Sequence, residues 1–140
     1  MATLFTRIIE GELPGTFVWR DPECTGFLSI NPVQAGHTLV VPVAEVDHWI
    51  DLDPALACHL TAVAQTIARA QQQVYDPVKV GLLIAGLEVA HTHLHVIPIM
   101  RGEADLHLDR ATTATPEQLE AEAAKLRAAL RASGAEGVTD

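Results

Sequence analysis

In the segment His91-Thr92-His93-Leu94-His95-Val96-Ile97-Pro98, histidine recurs at every second position before an apolar run takes over. A period of two belongs to a β-strand, so His91, His93 and His95 share one face while Thr92, Leu94 and Val96 share the other. Neighbouring rings on such a face stand about 6.5–7 Å apart. A strand buried for packing alone would leave three imidazoles whose nitrogens need partners. On the residues alone, three readings stay open. The strand is a hydrogen-bonded polar strand without chemistry, or a metal site in which His-x-His holds zinc through two rings, or it carries a nucleophilic or acid–base histidine oriented by its neighbours.

Upstream, Val78 to Ala85 reads as a mostly apolar strand, and Pro77 ends the helix before it. That helix opens at Asp53-Pro54, a capping residue followed by proline at the first helical position. Leu56, Leu60, Val63, Ile67 and Val74 then recur at helical spacing, which predicts one long amphipathic helix. Before it, Phe17 to Arg20, Gly26 to Ile30 and Thr38 to Pro42 read as strands separated by Asp21-Pro22 and Asn31-Pro32 turns. Leu4, Ile8 and Ile9 form a short helix ended by Gly11 and Pro14. Downstream, Gly102 to Ala114 reads as a surface loop. Thr115-Pro116-Glu117-Gln118 is a capping box opening a last helix with Leu119, Ala123, Leu126 and Leu130 on one face. This order predicts an α+β protein: an antiparallel sheet of about five strands carrying a long helix and a C-terminal helix. Residues 1–132 form a single domain, and the small, polar segment 133–140 is expected to be a disordered tail.

A chain of 140 residues suits one domain, and 49% hydrophobic residues are enough for a core. Nine Lys and Arg stand against eighteen Asp and Glu, a net charge of −9, which repels a nucleic-acid backbone. Aromatic residues are only 4%, too few to stack a run of bases. A small anion remains a possible ligand where backbone amides or a protonated histidine face it. No signal-peptide pattern and no membrane-length apolar run are present, so a soluble, cytoplasmic protein is expected, without membrane partners. Cys24 and Cys58 are far apart, and no disulfide framework is expected. His48, His59 and His107 occur singly and read as solvent-facing or capping residues.

The chain resembles the histidine triad (HIT) superfamily, whose signature is His-φ-His-φ-His-φ-φ with φ apolar. Residues 91–97 match it except at Thr92. The resemblance extends over Phe5-x-x-Ile8-Ile9-x-Gly11-Glu12-Leu13-Pro14, over Phe27-x-x-Ile30-Asn31-Pro32 and over Gly36-His37-Thr38-Leu39-Val40-Val41-Pro42. It implies a HIT-like fold and a nucleotidyl hydrolase or phosphoramidase acting on purine nucleoside monophosphate derivatives, with no cofactor. By the same resemblance His93 is the catalytic nucleophile at the α-phosphorus. His95, His91, His37, Gly86 and Glu88 fall at phosphate-binding or orienting positions, and Leu4, Phe5, Ile8, Phe27, Ser29 and Ile30 at nucleoside-binding positions. The family also implies a twofold homodimer through residues 54–74 and the strand from Val78. The alternative is a nucleotide-binding dimeric scaffold with little or no catalysis.

Four departures bear on the activity. Thr3, Thr6 and Glu45 stand where many bacterial members carry Cys-x-x-Cys and a histidine for a structural zinc, so no metal is expected. Ser29 replaces an aspartate that binds the ribose hydroxyls, and it cannot offer them a charge-assisted bond. Glu88 stands where a serine or threonine contacts the phosphate or the leaving group. Finally, Val80 to Gly86 is apolar where many members have an Asn-Gly-rich loop. The last three changes surround ribose and leaving group, so substrate choice is where this chain departs from the family.

Overall fold

The computed structural model describes residues 1–140, apart from the side chains of residues 103 and 104. Helix α1 (Leu4–Ile9) leads into strands β1 (Phe17–Arg20), β2 (Cys24–Leu28) and β3 (Thr38–Pro42). Helix α2 (Pro54–Tyr75) follows, then β4 (Lys79–Ile84), β5 (Leu94–Ile99) and helix α3 (Pro116–Ala132). The strands form one five-stranded sheet in the order β1-β2-β3-β5-β4, antiparallel at every pairing. Helices on a single antiparallel sheet make this an α+β fold, as the order of sequence patterns predicts.

Strand alternation sorts the core onto two faces. Val40, Leu94 and Val96 pack against α2 and α3 through Leu60, Val63, Ile67, Leu126 and Leu130. Their neighbours Leu39 and Val41 point the other way and form a smaller cluster with Phe27 and with Phe5 of α1. One row runs across that second face through the pairs Phe27↔Leu39 and Leu39↔His95. The sheet therefore buries hydrocarbon under the long helices and presents an aromatic and histidine-bearing surface to α1.

Helix boundaries have local causes. Pro54 occupies the first turn of α2, although the Asp53 side chain makes no cap bond. Its C-cap is Asp76 in the left-handed conformation (φ 49°), directly before Pro77. In α3 the capping box is complete: Gln118 N–H donates to Thr115 Oγ1 at 3.1 Å, and Thr115 N–H donates to Gln118 Oε1 at 2.9 Å. Gln71, fully buried in α2, donates to the carbonyls of Gly36 and Val96, both at 2.9 Å, and so ties the helix to the entrance of β3 and to β5. Gly36 has φ +87°, and any side chain there would run into the Tyr75 ring.

Three expectations need correction. The histidine strand begins at Leu94, because Thr92 N–H and Thr92 Oγ1–H both donate to Val46 O at 2.7 Å and hold the preceding residues against the 44–47 loop. The segment 133–140, expected to be a disordered tail, returns along β1. Arg20 N–H donates to Gly137 O at 2.8 Å, Val138 bridges Trp19, and Arg127 donates to Thr139 O at 3.1 Å. The 102–114 loop contains short 3-10 turns at Glu103–Leu106 and Leu108–Arg110.

Candidate active site

A cleft of about 470 Å³ lies between α1 and the histidine-bearing face of the sheet. Leu4, Phe5 and Ile8 of α1, Phe27 of β2, and Ser29 and Ile30 just after it all line this cleft. His37, Glu88, His93 and His95 line it too. Two expected site residues do not: His91 is fully buried behind it, and Gly86 lies off it. Gly86 adopts φ +75° where the chain leaves β4, so its left-handed backbone serves the turn. Residues the sequence reading missed include Leu13, Asn31, Val89 and Leu108. Leu13 and Asn31 sit inside recognised motifs, but nothing in the sequence marks Leu108 as facing the cleft. A larger groove, about 560 Å³, opens where α2 meets the end of α3, but Arg69 is its one titratable side chain.

Hydrogen-bond partners fix the tautomer of every ring in the cluster. His93 Nδ1 lies 2.8 Å from His91 O, and a carbonyl only accepts, so Nδ1 carries the proton and Nε2 keeps its lone pair. The His93 ring is held edge-on between Phe5 and His95, with ring centres 4.9 Å away on each side. His91 Nε2 donates to Pro42 O at 2.7 Å, and its Nδ1 accepts from Thr3 Oγ1–H at 2.6 Å. Behind the cleft, Val33 N–H donates to His37 Nδ1 at 3.1 Å, so His37 Nε2 carries the proton and donates to His95 Nδ1 at 2.9 Å. His95 is then protonated on Nε2. One backbone amide, acting through one ring, thus sets the proton of a second.

The same burial favours the neutral form of His37, His93 and His95. Desolvation pushes His95 down to about 4 and His37 to about 3, and the charges of neighbouring histidines push in the same direction. His93 is lowered as well, chiefly by burial, while its bond to His91 O and the nearby Glu88 carboxylate pull the other way. A buried, neutral imidazole with a free Nε2 lone pair beside a second ring with an Nε2–H can attack an electrophile and donate to the oxyanion that develops.

Thr3, Thr6 and Glu45 meet beside His91. Thr3 Oγ1 accepts from Thr6 N–H at 3.1 Å, and Glu45 Oε1 accepts from Thr3 N–H at 2.9 Å. Two hydroxyls and one carboxylate, next to a histidine whose nitrogens are both engaged, do not fit a thiolate and imidazole zinc site. A separate group of metal-capable side chains, Asp21, Cys24 and His59, lies at the β1–β2 turn. There Asp21 Oδ2 accepts from Trp19 Nε1 at 2.7 Å and pairs with His59 Nε2 at 2.8 Å, which ties the hairpin to α2. His59, expected to be solvent-facing or capping, is thus a half-buried structural partner of Asp21.

The HIT domain family model matches residues 10–102. An uncharacterised HIT-like protein of Methanocaldococcus jannaschii is 33% identical over 107 residues, covering 74% of this chain and 83% of its own length. The crystal structure of a Zn-bound histidine triad family protein from Mycobacterium smegmatis superposes with a TM-score of 0.80 at 30% identity, over 97% of this chain and 99% of that one. The adenylylsulfatase HINT3 of Arabidopsis thaliana is 28% identical over 100 residues, 68% of this chain and 51% of its own length. With the ordered histidines, the sheet topology and the cleft in agreement with these matches, this chain belongs to the HIT family.

Proposed function

We propose that the cleft binds a purine nucleoside monophosphate derivative and that His93 Nε2 displaces its leaving group from the α-phosphorus. The single observation behind this reading is the free Nε2 lone pair of a buried, neutral His93 facing the cleft. Leu4, Phe5, Ile8, Phe27 and Ile30 enclose the base, and Ser29 lies within reach of the ribose. The substrate class most easily reconciled with these groups is a phosphoramidate whose bridging nitrogen has taken a proton from solvent.

Attack forms a bond between His93 Nε2 and phosphorus. The bond from phosphorus to the bridging nitrogen breaks, and the amine leaves with that electron pair. Water then attacks the phosphorus of the nucleotidyl-histidine, the P–N bond to His93 breaks, the pair returns to the ring, and a proton goes to solvent. Throughout, His95 Nε2–H donates to a phosphoryl oxygen. His91 O holds the His93 Nδ1 proton so that only Nε2 is nucleophilic. Splitting the hydrolysis into two displacements lowers each barrier.

The test is release of AMP from adenosine 5′-phosphoramidate. The expected result is turnover by the native protein and none by His93→Ala, with both giving the same circular dichroism spectrum. Native-like turnover by His93→Ala would overturn the assignment. AMP binding without turnover of any derivative would point instead to a nucleotide-binding protein without catalysis.

A further inference from the structure

Among the described residues that line the cleft, Glu88 is the one Asp, Glu, Lys or Arg side chain. A site for a phosphate derivative would be expected to carry a cation, and this one carries a carboxylate. Glu88 is exposed and has no hydrogen-bond or salt-bridge partner among the described residues, so its charge is not neutralised within the fold. Its position along the cleft is also defined. It sits on the loop between β4 and His91, and its field is felt at His93. Hydrocarbon from Leu4, Ile8, Phe27 and Ile30 makes up much of the remaining lining. The carboxylate therefore shares the cleft with His93 and acts on the ring that attacks phosphorus.

We propose that Glu88 selects the leaving group by charge, so that the preferred substrate is a nucleoside phosphoramidate whose departing amine carries a second, cationic group. This rests on the nucleotidyl-transfer reading given above and narrows it to a substrate class. An ammonium group on the departing chain meets an unpaired carboxylate at the mouth of the cleft. A carboxylate or sulfonate on the same chain meets repulsion. Derivatives with anionic leaving groups are disfavoured for the same reason. Chemistry at phosphorus is unchanged: the P–N bond breaks as before, the amine keeps the pair, and Glu88 neither gives nor takes a proton.

The experiment compares three adenosine 5′-phosphoramidates of similar chain length, made from 1,2-diaminoethane, propylamine and β-alanine. Their leaving groups are cationic, neutral and anionic. With native protein, kcat/KM is expected to fall in that order, by about fivefold at each step, the factor that corresponds to an exposed charge pair near 1 kcal/mol. The spread should shrink as salt is raised. In Glu88→Gln the ratios should collapse toward one, each referred to the propylamine compound measured with the same enzyme. Equal kcat/KM for the three with native protein, a preference for β-alanine, or an unchanged ranking in Glu88→Gln would overturn the selection by Glu88 while leaving the nucleophile assignment intact. Failure to turn over any of the three would overturn the nucleotidyl-transfer reading and this inference with it.

Discussion

Replacing Thr3 with valine removes one hydroxyl and keeps the shape of the side chain, and besides a contact with Thr6 Oγ1 at 3.2 Å two interactions depend on that hydroxyl. Thr3 Oγ1–H donates to the fully buried Nδ1 of His91 at 2.6 Å, and Thr3 Oγ1 accepts the Thr6 amide at the start of α1. An unpaired buried acceptor costs about 1–3 kcal/mol, and a lost N-cap costs about 1 kcal/mol. No cavity is opened, so Thr3→Val should destabilise the fold by about 2–4 kcal/mol. At an unfolding entropy of about 2 cal/mol/K per residue, a chain of this length loses about 7–14 °C in Tm. Thermal unfolding followed by circular dichroism measures the shift, and Thr3→Ser should recover most of it because serine caps and donates equally well. Nitrogen-15 shifts of His91 provide a second readout: the native ring should show an unprotonated Nδ1. A Thr3→Val protein that melts within about 2 °C of native would refute the reasoning. The His91 proton would then have to be placed by Pro42 O alone.

Two further outcomes follow from the geometry. His37 and His95 are lowered from 6.5 to about 3 and about 4. Between pH 6.5 and about 4 the unfolded chain therefore binds protons that the folded chain refuses, and stability falls on acidification by up to about 1.4 kcal/mol per pH unit for each ring. Urea unfolding at pH 7, 6 and 5 should show that loss, and constant stability across the range would contradict it. Strand β4 is an edge of the sheet with Val78 and Leu82 exposed beside it, so we propose a twofold dimer formed through β4 and α2. Light scattering should give twice the chain mass for the native protein and the single-chain mass for Leu82→Arg, whereas a native monomer at micromolar concentration would contradict the dimer.

The amount that could be read from the sequence depended on how local each cause was. The long helix and the last helix were legible because periodicity, an opening proline and a capping box all act within a few residues. The two-face character of β5 was legible from alternation alone, and Leu94 and Val96 do pack under α2 while His93 and His95 face the cleft. The start of that strand was not legible, because Thr92 is diverted by Val46, which lies 46 residues away. Resemblance pointed to His37, but its bond to His95 spans 58 residues, and the proton arrangement behind it needs the Val33 amide, which leaves no mark in the sequence. The Thr3 to His91 bond spans 88 residues and was likewise hidden. Composition misled at the C-terminus: small polar residues read as a free tail, yet their backbone groups pair with β1, an interaction that needs no particular side chain.

The most direct test of the account is to capture the covalent species. Native protein turning over adenosine 5′-phosphoramidate is quenched into alkali within the first turnover, digested and mapped by mass spectrometry. One adenylyl group is expected on the peptide that contains His93, attached through Nε2, rising and decaying as AMP accumulates. AMP released with no adduct at any time, or an adduct on His91, His95 or another residue, would contradict the central claim.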